Sequence, residues 1–250
     1  MPAAVGKSTD KELGNPVDTQ TRRALKQDKF VTATRSSVDW LSGHRSGLLR
    51  WVVTGAIAIV VVIGALVFWS MKTNAADRAL GAALDLYSTP LAQPGAPPEK
   101  NVYNTAADRA KEANREFVAV AKDFGWLAAG AKAHYFAGVT YQELGQTGSA
   151  ESELKTASGS WDRNLANLAK IALAGVYRQT GRDPQAIDLY NAVAAKPSTT
   201  VPAAVAQLDL ADLYVSTGKQ DQARAIWAKV KDSDKDGMAG SIATQKLSGK

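Results

Sequence analysis

The residues best suited to chemistry are few, and their spacing limits what they can do. Residues 232–237 read Asp-Ser-Asp-Lys-Asp-Gly, with Asp232, Asp234 and Asp236 at alternate positions before Gly237. That is the first half of a calcium loop, in which carboxylate oxygens gather around a sharp turn. The bidentate glutamate required six residues after the glycine is replaced by Ala243, so the run reads as an acidic turn between helices and only a weak calcium candidate. His134 lies among Ala131, Ala133 and Ala137 and reads as a packed side chain; His44 is the only other histidine in the chain. With no cysteine, neither a thiolate metal site nor a Cys-His pair can be assembled. No serine stands in a G-x-S-x-G context and no glycine-rich phosphate loop follows a strand. The expectation is a protein that binds and does not catalyse, without cofactor, resident metal, small-molecule substrate or nucleic acid.

The elements around these residues begin with one that water does not suit. From Trp51 to Met71 the chain runs 21 residues without a charge, between Arg50 and Lys72. As a helix this run is about 31 Å long, against a hydrocarbon core of about 30 Å. Trp51, Phe68 and Trp69 stand at its ends, where amphipathic rings favour the headgroup layer. The run is too long and too far from the N-terminus for a cleaved signal, so residues 50–72 are predicted as one uncleaved transmembrane helix.

Charge orients it. Of the 30 Lys/Arg and 24 Asp/Glu in the 250 residues, nine basic and five acidic residues fall in residues 1–50, so the tail holds most of the net +6. The positive-inside rule then predicts a cytoplasmic N-terminus and an extracytoplasmic C-terminal domain. Residues 1–20, polar and carrying Pro2 and Pro16, are expected to be a disordered tail. Residues 21–49 place Phe30, Val31, Val38, Trp40 and Leu41 among basic residues and are expected to form a cytoplasmic juxtamembrane segment beside anionic headgroups.

Beyond the apolar run a repeat governs the sequence. Gly138, Tyr141, Gly145, Ala150, Leu154 and Ala157 recur as Ala174, Tyr177, Gly181, Ala186, Tyr190 and Val193, then as Ala211, Tyr214, Gly218, Ala223, Trp227 and Val230, with offsets of 36 and 37 residues. The small first member allows a paired helix to approach closely, and the tyrosine three residues on fills the space between helices. The glycine closes the first helix in the left-handed conformation. A small residue at the crossing and a large one four positions later pack the second helix. The type and spacing of these residues resemble the tetratricopeptide repeat. They predict an all-α fold with one N-terminal transmembrane helix followed by a tetratricopeptide-like helical solenoid over residues 73–237. The copies fall at about 127–160, 164–197 and 201–234. A degenerate first pair covers 75–124, as helices at 75–88 and 102–124 around the proline-rich connector Pro90-Leu-Ala-Gln-Pro-Gly-Ala-Pro-Pro-Glu-Lys100. Residues 238–250 supply a capping helix and the C-terminus.

Helical spacing from the tyrosines places a partner-binding groove on the first helices. Its expected lining is Tyr135, Val139 and Gln142; then Leu168, Ile171, Gly175 and Arg178; then Val205, Leu208, Asp212 and Val215. This mixed but apolar surface suits a partner helix or an unfolded segment. Repeat packing is assigned instead to Gly138, Tyr141, Ala150, Ala174, Tyr177, Ala186, Ala211, Tyr214, Ala223 and Trp227.

The order of tail, single anchor, degenerate pair and three repeats resembles the YfgM-like family of ancillary SecYEG translocon subunits, whose repeats are related to those of CpoB-type proteins. The run Asp28-Lys-Phe-Val-Thr-Ala-Thr-Arg-Ser-Ser-Val-Asp-Trp-Leu-Ser-Gly-His-Arg-Ser-Gly-Leu-Leu-Arg-Trp51 and the segment from Ser216 to Val230 carry the resemblance most specifically. It implies a bacterial inner-membrane protein with a periplasmic repeat domain, associated with SecYEG and with a membrane-anchored periplasmic prolyl-isomerase chaperone. Two other expectations stand beside this one. One is an envelope-assembly or cell-division coordinator with the same repeats. The other is a membrane signalling protein that acts through its cytoplasmic tail.

Overall fold

A change in the pattern of exposure along a single helix organises the chain. The computed structural model describes residues 45–92 and 102–249, and the expected disordered tail, most of the juxtamembrane segment and His44 lie outside them. The chain divides into two units between Val67 and Phe68. Helix α1 is continuous from Arg45 to Tyr87, 43 residues. Residues 75–87, expected as the first helix of the degenerate pair, continue the apolar helix without interruption, because nothing between Met71 and Ala75 breaks a helix. Every residue from Trp51 to Met71 is exposed, so this is not the core helix of a water-soluble fold. Further along, the pattern becomes a stripe: Ala76, Leu80 and Ala83 are buried at helical spacing.

The remaining helices are α2 (Ala106–Phe124), α3 (Ala128–Glu143), α4 (Thr147–Ser158), α5 (Arg163–Gln179), α6 (Asp183–Ala195), α7 (Ala203–Ser216), α8 (Gln220–Ser233) and α9 (Met238–Leu247). Successive helices pack in pairs as a tetratricopeptide-like solenoid. Helix α2 starts at Ala106, later than the predicted 102. Thr105 is its N-cap, extended at φ −134°, and the Thr105 hydroxyl oxygen accepts a bond from the Asp108 amide at 3.0 Å. Tyr103 is held instead by an isolated parallel β-bridge to Leu91, with the Ala92 amide donating to the Tyr103 carbonyl at 2.8 Å.

The three repeat glycines have the backbone their positions demand: Gly145, Gly181 and Gly218 take φ of 71°, 71° and 75°. The residue after each glycine donates its amide to the carbonyl of the repeat tyrosine, Gln146 to Tyr141, Arg182 to Tyr177 and Lys219 to Tyr214, each at 2.8 Å. With glycine four residues after the tyrosine, the amide that follows the glycine reaches the tyrosine carbonyl five positions back, the closing bond of a Schellman motif. Each tyrosine ends its helix with its carbonyl, and of the three rings that of Tyr177 is buried in the interior.

Small residues sit where helices cross. Ala150, Ala174, Ala186, Ala211 and Ala223 are fully buried, with Leu154, Tyr190 and Trp227 packed beside them. Tyr141 and Tyr214 are only partly buried, on the rim of this packing. At Gly138 a methyl group would stand 2.5 Å from Leu154 Cγ, so the smallest residue is needed at this crossing. One polar tie joins α2 to α3: Asn114 Nδ2 donates to the Ala137 carbonyl at 3.1 Å and to Thr140 Oγ1 at 2.9 Å, all buried.

An ion cluster clasps α4 to the α5–α6 turn. Glu151 accepts from Arg182 and from Lys155, each at 2.6 Å, and the Arg182 guanidinium lies 4.5 Å over the Tyr177 ring. The Arg182 bond first, then Lys155, holds the Glu151 carboxyl down to about 2. A depressed carboxylate stabilises the fold above its unfolded pKa and loses that contribution as pH falls through the folded value. Stability should therefore drop between about pH 4.5 and 2. Glu151→Gln is expected to flatten that limb of the Tm-versus-pH curve, and an unchanged slope would show that the clasp adds nothing.

Candidate functional site

The candidate face is built from α3, α5 and α7, the first helices of the three repeats. None of the residues expected to line it is fully buried: Val205 is exposed and the other ten are half-buried. The structure divides them into two groups.

One group is drawn into the packing between repeats. Leu168 and Ile171 lean on a cluster of Val193, Val201 and Ala206, while Leu208 and Val215 lean on Ala211, Trp227 and Ala243. Tyr135 packs edge-on against Phe136, centroids 5.2 Å apart, and burial pushes its hydroxyl pKa up. These residues hold neighbouring repeats together and offer a partner only part of their surface.

The other group is polar and spans neighbouring repeats. Gln142 Nε2 lies 3.4 Å from where a Cβ on Gly175 would be, so the absence of a side chain at Gly175 gives the amide room across the repeat boundary. Arg178 faces Asp209 and Asp212 on α7 and the buried Tyr190. Burial raises the Asp209 carboxyl, Asp212 adds to this, and Arg178 opposes it. Asp212 is also paired with Lys246 of α9 at 3.1 Å. Gly175 and Arg178 border a cavity of about 350 Å³ with Gln179, Asp183, Leu213 and Ser216. This strip sets Arg178 and Lys246 beside the carboxylates of Asp209 and Asp212, next to half-buried apolar side chains. It can exchange hydrogen bonds with a peptide backbone or pair with a charged side chain, and it holds no nucleophile–base pair.

Sequence reasoning missed Asp209, Tyr190 and Lys246 as parts of this strip. Asp209 had a signal, since Val205, Asp209 and Asp212 follow helical steps of four and three. Lys246 had none, because only the fold brings the capping helix back onto α7. A cavity of about 540 Å³ between α6, α7 and α8 contains none of the expected groove residues.

The acidic turn has a different task. Asp234 Oδ2 accepts the Gly240 amide at 3.0 Å, satisfying a donor in the first turn of α9. A side chain on Gly237 would strike the Asp234 carboxylate, and one on Gly240 would strike the Asp234 carbonyl. Asp232 and Asp236 are exposed. Among the described residues no group of three or more His, Cys, Asp or Glu side chains is placed to hold a metal ion. His134 is half-buried with Nδ1 at 2.6 Å from Glu153 Oε2, which ties α3 to α4.

The tetratricopeptide repeat-like domain family matches residues 49–249, from the first turns of the apolar helix to the last helix. No curated protein matches the chain.

Proposed function

The chain belongs to the tetratricopeptide repeat-like domain family, and from that membership we propose that it is a membrane-anchored scaffold for protein–protein interaction, ancillary to the Sec translocon and to periplasmic chaperone traffic. The observation that carries this reading is the continuity of α1. An apolar stretch that stays exposed among the described residues runs without a break into the helix whose Ala76, Leu80 and Ala83 join the repeat core. Such a helix is long and apolar enough to cross a bilayer, which would tether the repeats to a membrane that emerging or docked chains also reach. The basic tail supports a cytoplasmic N-terminus with the repeats outside, which the resemblance to ancillary translocon subunits would make the periplasm of a bacterial inner membrane. The α3–α5–α7 face, with Tyr135, Val139, Gln142, Arg178, Leu208 and Asp212, supplies the groove, and the partners are SecYEG and a periplasmic prolyl-isomerase chaperone.

The test uses the full chain. Protease added to spheroplasts should degrade the repeats and spare the tail, and alkaline extraction should leave the protein in the membrane. Detergent-solubilised full-length protein should then co-elute with purified SecYEG in nanodiscs and not with empty nanodiscs. Retention on empty and loaded discs alike would remove the translocon from this reading.

A further inference from the structure

Solenoid helices alternate in direction, so the connectors that lead from one repeat to the next share one edge of the domain. Two of them carry uncovered tryptophans. Trp126 lies between α2 and α3 and is 56% exposed; Trp161 lies between α4 and α5 and is 90% exposed. A large aromatic ring left in water costs apolar hydration without contributing to the core. Neither ring closes its own connector, which is done by backbone bonds such as Leu127 to Phe124 at 2.8 Å and Ser160 to Ala157 at 3.0 Å.

Their position gives them a partner. Trp126 meets Trp69 edge to face, centroids 5.2 Å apart, and Trp69 belongs to the last turn of the apolar run, the depth at which tryptophan settles among headgroups. From Trp126 the edge continues through the first turn of α3 to Trp161. There Ala128, Lys132, Trp161 and Arg163 border a cavity of about 320 Å³. Lys132 and Arg163 are exposed cations beside the ring, while the nearby Asp162 is already occupied in capping the Asn164 amide at 2.9 Å.

We propose that this edge is a second, peripheral contact with the bilayer: Trp126 and Trp161 seat in the headgroup layer and Lys132 and Arg163 meet lipid phosphates. The proposal rests on α1 being a membrane span. A bilayer is favoured over a protein because Trp69 fixes the depth of Trp126, and because amphipathic rings flanked by cations match an interface that is apolar on one side and anionic on the other. The contact would recline the solenoid against the membrane and leave the connectors at the opposite edge in water.

Because the chain has no cysteine, single-cysteine variants of the full-length protein can carry the fluorophore NBD in phosphatidylcholine vesicles. Gly159→Cys reports the proposed edge, since a Cβ there meets only the Thr156 carbonyl, at 3.5 Å. Gly148→Cys, where a Cβ meets nothing within 4 Å, reports the opposite edge, and Val60→Cys the span. With phosphatidylcholine bearing a nitroxide on its headgroup, the proposal expects quenching at residue 159 at least twofold stronger than at residue 148. Trp161→Ser should bring the two sites level, and it removes a ring that is 90% exposed. Quenching of Val60→Cys by mid-chain nitroxide with none at residue 159 would overturn the edge contact and leave the span intact. Failure at Val60→Cys would instead remove the span itself. Shielding at residue 159 without nitroxide quenching would assign the edge to a protein partner and also overturn the proposal.

Discussion

Phe117→Ala is expected to lower stability by about 3–5 kcal/mol, the cost of emptying a fully buried aromatic site. Phe117 has no exposed surface, stacks on Phe136 at 5.2 Å and meets the Tyr87 ring edge-on at 6.0 Å. It is the point where α1, α2 and α3 converge. Tyr87 is fixed there by its hydrogen bond to Glu143, with Arg109 over its ring at 5.4 Å, and burial followed by that bond raises its pKa to about 12. Removing Phe117 therefore opens a cavity and also detaches the last turns of the anchor helix from the repeats. In a solenoid each unit leans only on its neighbours, so the loss should stay local. Hydrogen exchange should accelerate at residues 76–87 and 106–124 and hardly change in α7–α9. Uniform acceleration through the whole domain would mean that it unfolds as a single cooperative block.

Trp227→Ala is expected to cost a similar amount, about 3–5 kcal/mol, at the other end. Trp227 is 6% exposed and packs with Ala211, Ala223, Val230 and Ala243, which joins α7, α8 and the capping helix. Lys246 lies 5.9 Å over its ring. Without that ring α9 has little left to hold it but the Asp234 cap and the Lys246–Asp212 pair. Exchange protection should vanish in α9 and fall in α8 while α2–α4 keep theirs. Trp227→Phe should be much milder than its loss of volume implies, because the indole Nε1 is buried with no partner among the described residues and its removal offsets part of the cost. If Trp227→Phe proved as damaging as alanine, the ring's size and not its presence would be what the site requires.

How much of this was legible in the sequence depended on whether a feature is local. The glycines, the tyrosines four residues before them and the alanines at crossings are set by helix geometry, so their spacing alone announced paired helices and their ends. The apolar run was legible by length. The start of α2 was not, because Thr105 is one of several polar residues in its segment and only the Leu91–Tyr103 bridge shows where extended chain gives way to helix. The groove was legible only in part. Helical spacing separates the faces of one helix, but it cannot tell a side chain turned toward a partner from one turned toward the next repeat. Leu168 and Ile171 belong as much to the packing around Val193 as to any open surface. The charged strip of Arg178, Asp209, Asp212 and Lys246 joins three helices far apart in sequence, and no window along the chain contains it.

The central claim is that the first-helix face of the anchored solenoid receives a protein partner. Site-specific photocrosslinking in intact membranes tests it most directly, with benzoylphenylalanine replacing Tyr135 or Leu208 on that face and Ala225, exposed on α8, as the comparison. Discrete adducts with subunits of the Sec translocon or a periplasmic chaperone are expected from residues 135 and 208, and none from residue 225. Adducts from residue 225 alone, or no adduct from either groove position, would contradict it.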